Sequence, residues 1–207
     1  MLNTAIGLFG IHYVENLNHW MGWNHAVDYS HCIKNNQEAV FNHYNATFYS
    51  HTYFSKKLNE LVEDYKFKSL KLKPISNERS DNYRSKNISV KETIKLILED
   101  NVEYDVVILM RYDMIFHQNL TDLNIDYNKV NMLCLNKCGS IHDLCDDSFY
   151  LLPFSKLQEF YDTIDKIDVN ASSHAYNKHI EDINYMVDGA YYTHEYPMYH
   201  VLRTPLS

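Results

Sequence analysis

The first concentration of apolar residues lies at the amino terminus. Leu2 to Ile11 reads as a strand carrying Gly7 and Gly10 towards its end. A glycine at a strand end lets the backbone approach a ligand closely. His12 and Tyr13 follow directly, and an aromatic in that place can stack on a base or join the core. Through His19, Trp20, Trp23 and His25 no period emerges, which predicts a long loop over the sheet's edge. Helical spacing returns from about Asp28 to Tyr44, with Tyr29, Ile33, Val40, Phe41 and Tyr44 near one face. Ala46 to Tyr53 is a second strand. Ser55 is placed to cap the next helix, in which Leu58, Leu61, Val62 and Tyr65 share a face. Phe67 to Leu72 is a third strand, stopping before Pro74.

Ile75 to Asn87 is polar and turn-rich, and with Arg79, Asp81, Arg84 and Lys86 it reads as a mobile basic loop. Ser89-x-x-Glu92 then spells a capping box, opening a helix with Val90, Ile94, Ile97 and Leu98 on one stripe. A further strand begins near Tyr104. Val130 to Leu135 and Ser148 to Leu152 are two more. Ser155-x-x-Gln158 is a second capping box, before a helix that packs Leu157, Phe160, Tyr161 and Ile164. A last helix is expected over Ala175 to Val187, with Tyr176, Ile180, Ile183 and Val187 aligned and Gly189 ending it. The tail from Ala190 to Arg203 should close over the sheet. Strands alternating with helices through the first half predict a three-layer α/β/α architecture around a mainly parallel central sheet. No linker or repeat divides residues 1–207, so one domain is expected.

The stretch Tyr104 to Phe116 joins this pattern to chemistry. Its apolar, partly β-branched run reads as a strand buried on both faces. Polarity then breaks at Arg111 and Asp113. Open α/β sheets bind ligands in the crevice beyond the carboxyl ends of their strands. Two residues apart on an extended chain, the cation and the carboxylate point to the same side. Arg111 suits a phosphate and Asp113 a hard divalent cation. The same two residues equally spell a salt bridge capping a strand end.

Composition narrows the field. The net charge is −8 and no Lys/Arg cluster is present, which argues against a nucleic-acid partner. No apolar run approaches membrane-spanning length, so no transmembrane segment is expected. The amino terminus lacks a basic leader, and a cytoplasmic location follows as the expectation, host cytoplasm if the chain is viral. Only 5 glycines occur, without a glycine-rich phosphate loop. Cys134, Cys138, His142 and Cys145 lack tight knuckle spacing, so no zinc site is expected.

Four stretches together carry a resemblance. They are Ala-Ile-Gly-Leu-Phe-Gly-Ile-His-Tyr at the start, Thr-Phe-Tyr-Ser-His-Thr-Tyr in the second strand, Arg-Tyr-Asp after the fourth, and Cys-Asp-Asp-Ser-Phe-Tyr-Leu-Leu-Pro. In this order they resemble GT-A-type glycosyltransferases, most of all the small capsid-glycosylating enzymes of large DNA viruses such as the chlorella viruses. The resemblance implies sugar transfer from a nucleoside-diphosphate sugar, a UDP-sugar, to a glycan or glycoprotein acceptor. It implies Mn²⁺ or Mg²⁺ on the donor diphosphate, held by an Asp-x-Asp motif. This chain has Arg111-x-Asp113 there, so only the second acidic position matches, and Arg111 can take part of the metal's role. A further metal or phosphate contact is implied near the carboxyl terminus, with His194 and His200 as candidates and His194 put forward as the ligand. Gly10, His12, Tyr13, Arg84, Arg111 and Asp113 are the expected donor-binding residues. Asp147, or failing that Asp146, is the expected catalytic carboxylate, with Glu181 and Asp182 next in line. The alternatives are a catalytically silent nucleotide-sugar-binding or capsid-assembly module and a sugar nucleotidyltransferase.

Overall fold

The structure, a computed structural model, describes residues 1–18, 24–74, 79–138, 142–145, 148–166, 183–187, 199–201 and 204–205. Its frame is set by buried apolar strands: β1 (Asn3–Phe9), β4 (Asn45–Tyr53), β5 (Ser69–Lys73), β6 (Val106–Arg111), β8 (Val130–Cys138), β10 (Phe149–Pro153) and β11 (Ile183–Val187). Across the main sheet they run β11–β8–β10–β6–β1–β4–β5. β1 pairs in parallel with both β4 and β6, and β4 with β5. β10 is antiparallel to β6 and β8, and β11 is parallel to β8. All of these strands except β10 therefore share one direction.

Helices cover both faces because alternate strand residues face opposite ways. Ile6, Leu8, Ile108 and Met110 pack with Ala39 of α1 (Ile33–Ala39) and with Leu61 and Tyr65 of α2 (Leu58–Tyr65). On the other face Ala5, Phe9, Val107 and Leu109 pack with Val90, Ile94 and Ile97 of α3 (Arg79–Glu99). Leu157, Phe160 and Ile164 of α4 (Leu157–Lys166) complete that layer. Gly7 is the tightest point. A Cβ there would lie 2.6 Å from Thr93 Cγ2 and 2.7 Å from Leu109 Cδ2, so glycine lets α3 settle onto β1. The three-layer α/β/α expectation holds, with one reversed strand.

Several expected elements change. Of the stretch expected as a loop after His12, the described residues form two antiparallel strands, β2 (Tyr13–Asn18) against β3 (Asn24–Asp28), with a register shift between Val14 and Leu17 that interrupts any simple alternation, and His19, Trp20 and Trp23 lie outside the described residues. The helix expected over 28–44 is broken into a 3-10 turn at Tyr29–His31, α1, and a second 3-10 turn at Phe41–His43. Asp28 caps the first turn by accepting from Ser30 N at 3.0 Å. Helix α3 begins at Arg79, inside the expected basic loop, so Ser89 and Glu92 lie mid-helix. Ser89 is buried and its carbonyl accepts from Thr93 Oγ1, while Glu92 is drawn to Lys71 of the neighbouring strand. Ile183 and Val187 belong to a strand, not a helix, because pairing with β8 decides an apolar run too short for its period to do so.

The connection after Arg111 adds β7 (Met114–Phe116). Asn35 of α1 holds it by donating to Phe116 O at 2.8 Å and accepting from Phe116 N at 2.7 Å. The tail returns here, as β12 (Tyr199–Val201) pairs antiparallel with β7, and β13 (Thr204–Pro205) pairs with β3. No described helix is long and apolar enough to cross a membrane.

Candidate functional site

The strand order reverses between β1 and β6. The first crossover leads from β1 to β4 on one side, and β6 lies on the other. Such a switch point leaves a crevice at the carboxyl ends of the two strands, where ligands of open α/β sheets bind. Phe9, the last residue of β1, is in register with Arg111, the last of β6. Gly10 follows with φ +92, a conformation that side chains disfavour, and the place a Cβ would take has no atom within 4 Å. Gly10 thus follows the residue that faces Arg111 across the switch point.

Arg111 and Asp113 bind each other as a fork. Arg111 donates from Nε to Asp113 Oδ1 at 2.8 Å and from Nη2 to Oδ2 at 2.5 Å. The Asp113 side chain is 2% exposed and that of Arg111 is 21%. Burying the carboxylate without this partner would be costly, so the pair is the condition for Asp113 being inside. The salt bridge read from the sequence is present, and it stands at the crevice. Arg111 N also donates to Ser148 O at 3.1 Å. That bond ties the end of β6 to the segment that follows Asp146 and Asp147 in the chain.

The second polar cluster is uncharged and closed on itself. A carbonyl only accepts, so the Thr52 hydroxyl donates to Gly10 O at 2.7 Å. Thr52 Oγ1 then accepts from His12 Nδ1–H at 2.8 Å, which leaves Nε2 to accept from the Ser55 hydroxyl at 2.6 Å. Burial pushes the His12 imidazole down to about 4, the Asp28 charge opposing this only in part, so the ring is neutral at pH 7. His12 staples the chain after β1 to the chain after β4. Ser55 also accepts from Lys57 N at 3.2 Å, but it does not cap α2, whose N-cap Lys57 makes no side-chain capping bond. Thr52 and Ser55 escaped the sequence reading as partners of His12. Their separation of about 40 residues from it leaves no local signal.

Tyr13 lies at the outer lip. The ammonium groups of Lys56 and Lys57 stand 5.4 and 5.3 Å from its ring centre, and its hydroxyl donates to Glu15 Oε1 at 3.2 Å. Lys57 also donates to Asp28 Oδ2 at 2.7 Å, which helps hold the Asp28 carboxyl below its usual range even though burial opposes this. Below this lip Tyr112 is fully buried, bonded to Ser50 and packed edge-on against His12. Cys32 is buried as well, and its thiol is pushed up to about 12 by burial, with Asp113 and Asp28 adding to the effect.

The remaining expected residues divide. Arg84 falls within α3, but only its backbone is described. Asp146, Asp147, Glu181, Asp182 and His194 lie outside the described residues. His200 is in β12, its backbone opposite Ile115 and so beside the strand that follows Asp113. Of the cysteine set, β9 (His142–Cys145) pairs with β8 so that Cys138 faces His142 in register, whereas Cys145 faces Leu135.

The Asp113 expectation implies a divalent cation, and among the described residues the group that meets its carboxylate is a guanidinium, not a second metal ligand. Both carboxylate oxygens take N–H groups from Arg111. Among the described residues no group of three or more His, Cys, Asp or Glu is placed to hold a metal ion.

No protein-family model matches the chain, and no curated protein matches its sequence. Among solved structures, the crystal structure of the glycosyltransferase GlyE of Streptococcus pneumoniae TIGR4 is similar at 13% identity and a TM-score of 0.47. The match covers 91% of this chain and 46% of that one, so the chain spans less than half the length of that protein.

Proposed function

We propose that the chain is a glycosyltransferase moving a sugar from a nucleoside-diphosphate sugar, a UDP-sugar, to a hydroxyl of a glycan or glycoprotein acceptor. One observation carries the reading: a guanidinium fixed by a buried carboxylate at the end of β6, across the switch point from the end of β1 that leads into Gly10. Sugar transfer expels a nucleoside diphosphate while positive charge builds on the anomeric carbon. The leaving group needs a fixed cation. The acceptor hydroxyl needs a base within hydrogen-bond reach. Arg111 is assigned the first task. Asp147, or failing that Asp146, is assigned the second, on the ground that the adjoining Ser148 is bonded to the backbone of Arg111. Gly10, Tyr13 and Arg84 are assigned to the donor.

Calorimetric titration with UDP, UDP-sugars and ATP, followed by transfer of labelled sugar to glycan acceptors, tests this. UDP is expected to bind more tightly than ATP, and label to move to acceptor. Equal binding of UDP-sugars and ATP rejects the donor. Tight UDP-sugar binding with no transfer to any acceptor supports the silent nucleotide-sugar-binding module instead.

A further inference from the structure

Resting on that reading, we infer that Arg111 serves as the cation for the donor diphosphate, and that Asp113 is its positioning residue and not a metal ligand. Three features of the site lead there. The carboxylate is 2% exposed and engaged through both oxygens, so a metal ion would have to displace a charge-assisted fork to reach it. The Arg111 side chain is 21% exposed against 2% for its partner, so the charged pair reaches solvent through Arg111. The third feature is the neighbour: Arg111 is in register with Phe9, and the next residue, Gly10, has open space where a side chain would be.

The arrangement has a physical logic. A lone buried carboxylate would attract a divalent cation, and a lone cation would be mobile in the crevice. Pairing them fixes the orientation of the planar group, so little conformational freedom is lost when the diphosphate arrives. The fork leaves Arg111 its full positive charge. A metal ion would supply a similar charge only while bound.

The test is UDP titration of the whole chain in excess EDTA and in Mn²⁺, using wild type, Arg111→Ala, Arg111→Lys and the double variant Arg111→Ala/Asp113→Ala. Wild type is expected to bind UDP about equally in both conditions, within roughly threefold. Loss of charge-assisted bonds in Arg111→Ala should weaken binding in EDTA by roughly tenfold or more. Arg111→Lys, which keeps charge without the fork, should fall between. The single alanine variant takes the guanidinium from a buried carboxylate and can fail to fold. The double variant removes both charges, so it is expected to keep its thermal unfolding midpoint and still lose EDTA-insensitive binding. Binding that vanishes in EDTA and returns with Mn²⁺, in wild type and double variant alike, overturns the inference while leaving the nucleotide-sugar reading intact. Undiminished EDTA-insensitive binding by the double variant overturns it also. Absence of UDP binding in either condition overturns both.

Discussion

Two buried polar corners flank the crevice, and they solve burial differently. At His12 every group is neutral, and the hydrogen bonds close within the protein, from Ser55 through the imidazole and Thr52 to the carbonyl of Gly10. At Arg111 and Asp113 both groups are charged, and one of them keeps a fifth of its surface in contact with solvent. A closed neutral network joins two loops. A charged fork holds one charge still at the end of a strand. On the proposed function the first is a structural staple and the second a binding group. Gly10 links the two corners: its carbonyl accepts from Thr52, and it follows Phe9, which is in register with Arg111.

The strongest way to break this comparison is to remove one charge. Arg111→Ala is expected to destabilise by about 3–5 kcal/mol, because Asp113 is left buried without its partner. Replacing both residues by apolar ones should return most of that loss. Urea unfolding of the single and double variants checks this, and equal stability of the two would mean that the fork contributes nothing to the fold.

Next in size is the pH response, which should belong to the neutral corner. Burial holds His12 down at about 4, and His51 likewise, where Lys73 assists. In the unfolded chain both should titrate near 6.5. Below that pH the unfolded state binds more protons, so stability falls as pH falls. The contribution is intact above about pH 6.5 and is lost progressively towards pH 4, on the order of 3 kcal/mol per histidine. Thermal midpoints across this window should therefore drop steeply in wild type. The slope should be shallower in His12→Phe. An unchanged slope would detach His12 from the acid response.

A smaller effect is expected where the corners meet. Gly10→Ala meets no neighbour, so only its backbone conformation is penalised, by about 1–2 kcal/mol. Because the proposed donor site takes in Gly10, UDP affinity should fall more than stability does. A loss of stability without any change in UDP affinity would place the ligand elsewhere.

The smallest effect sharpens the neutral corner alone. Ser55→Ala takes the donor from His12 Nε2 and should cost about 1 kcal/mol. It should leave UDP binding untouched, as measured by calorimetry. A large loss of affinity would move Ser55 from the staple to the binding group.

Much of the fold was legible where patterns were long. The strands around Ile6, Phe48 and Ile108 and the helix with Leu58, Leu61 and Tyr65 announce themselves through buried runs or helical spacing. Capping signals misled where a polar side chain found a distant partner. Ser55 went to His12, and Glu92 went to Lys71 across the edge of the sheet. Ile183 to Val187 could be matched to a helical stripe, and only an open edge on β8 made it a strand.

By itself the sequence determined the alternation of strands and helices, the break from apolar to charged at Arg111, and the need for glycine at a strand end. These are local properties, written in neighbouring residues and in their spacing. Tertiary structure decided what the polar residues became. Whether Asp113 would wait for a metal or bind Arg111 depended on the turn at 112–113, which brings the two side chains together at the strand's end. Whether His12 would face a ligand or the interior depended on Thr52 and Ser55 arriving beside it from the end of β4. Burial raises the energy of any polar group left unpaired, so each takes the partner that the fold brings within reach, and that partner need not be near in sequence.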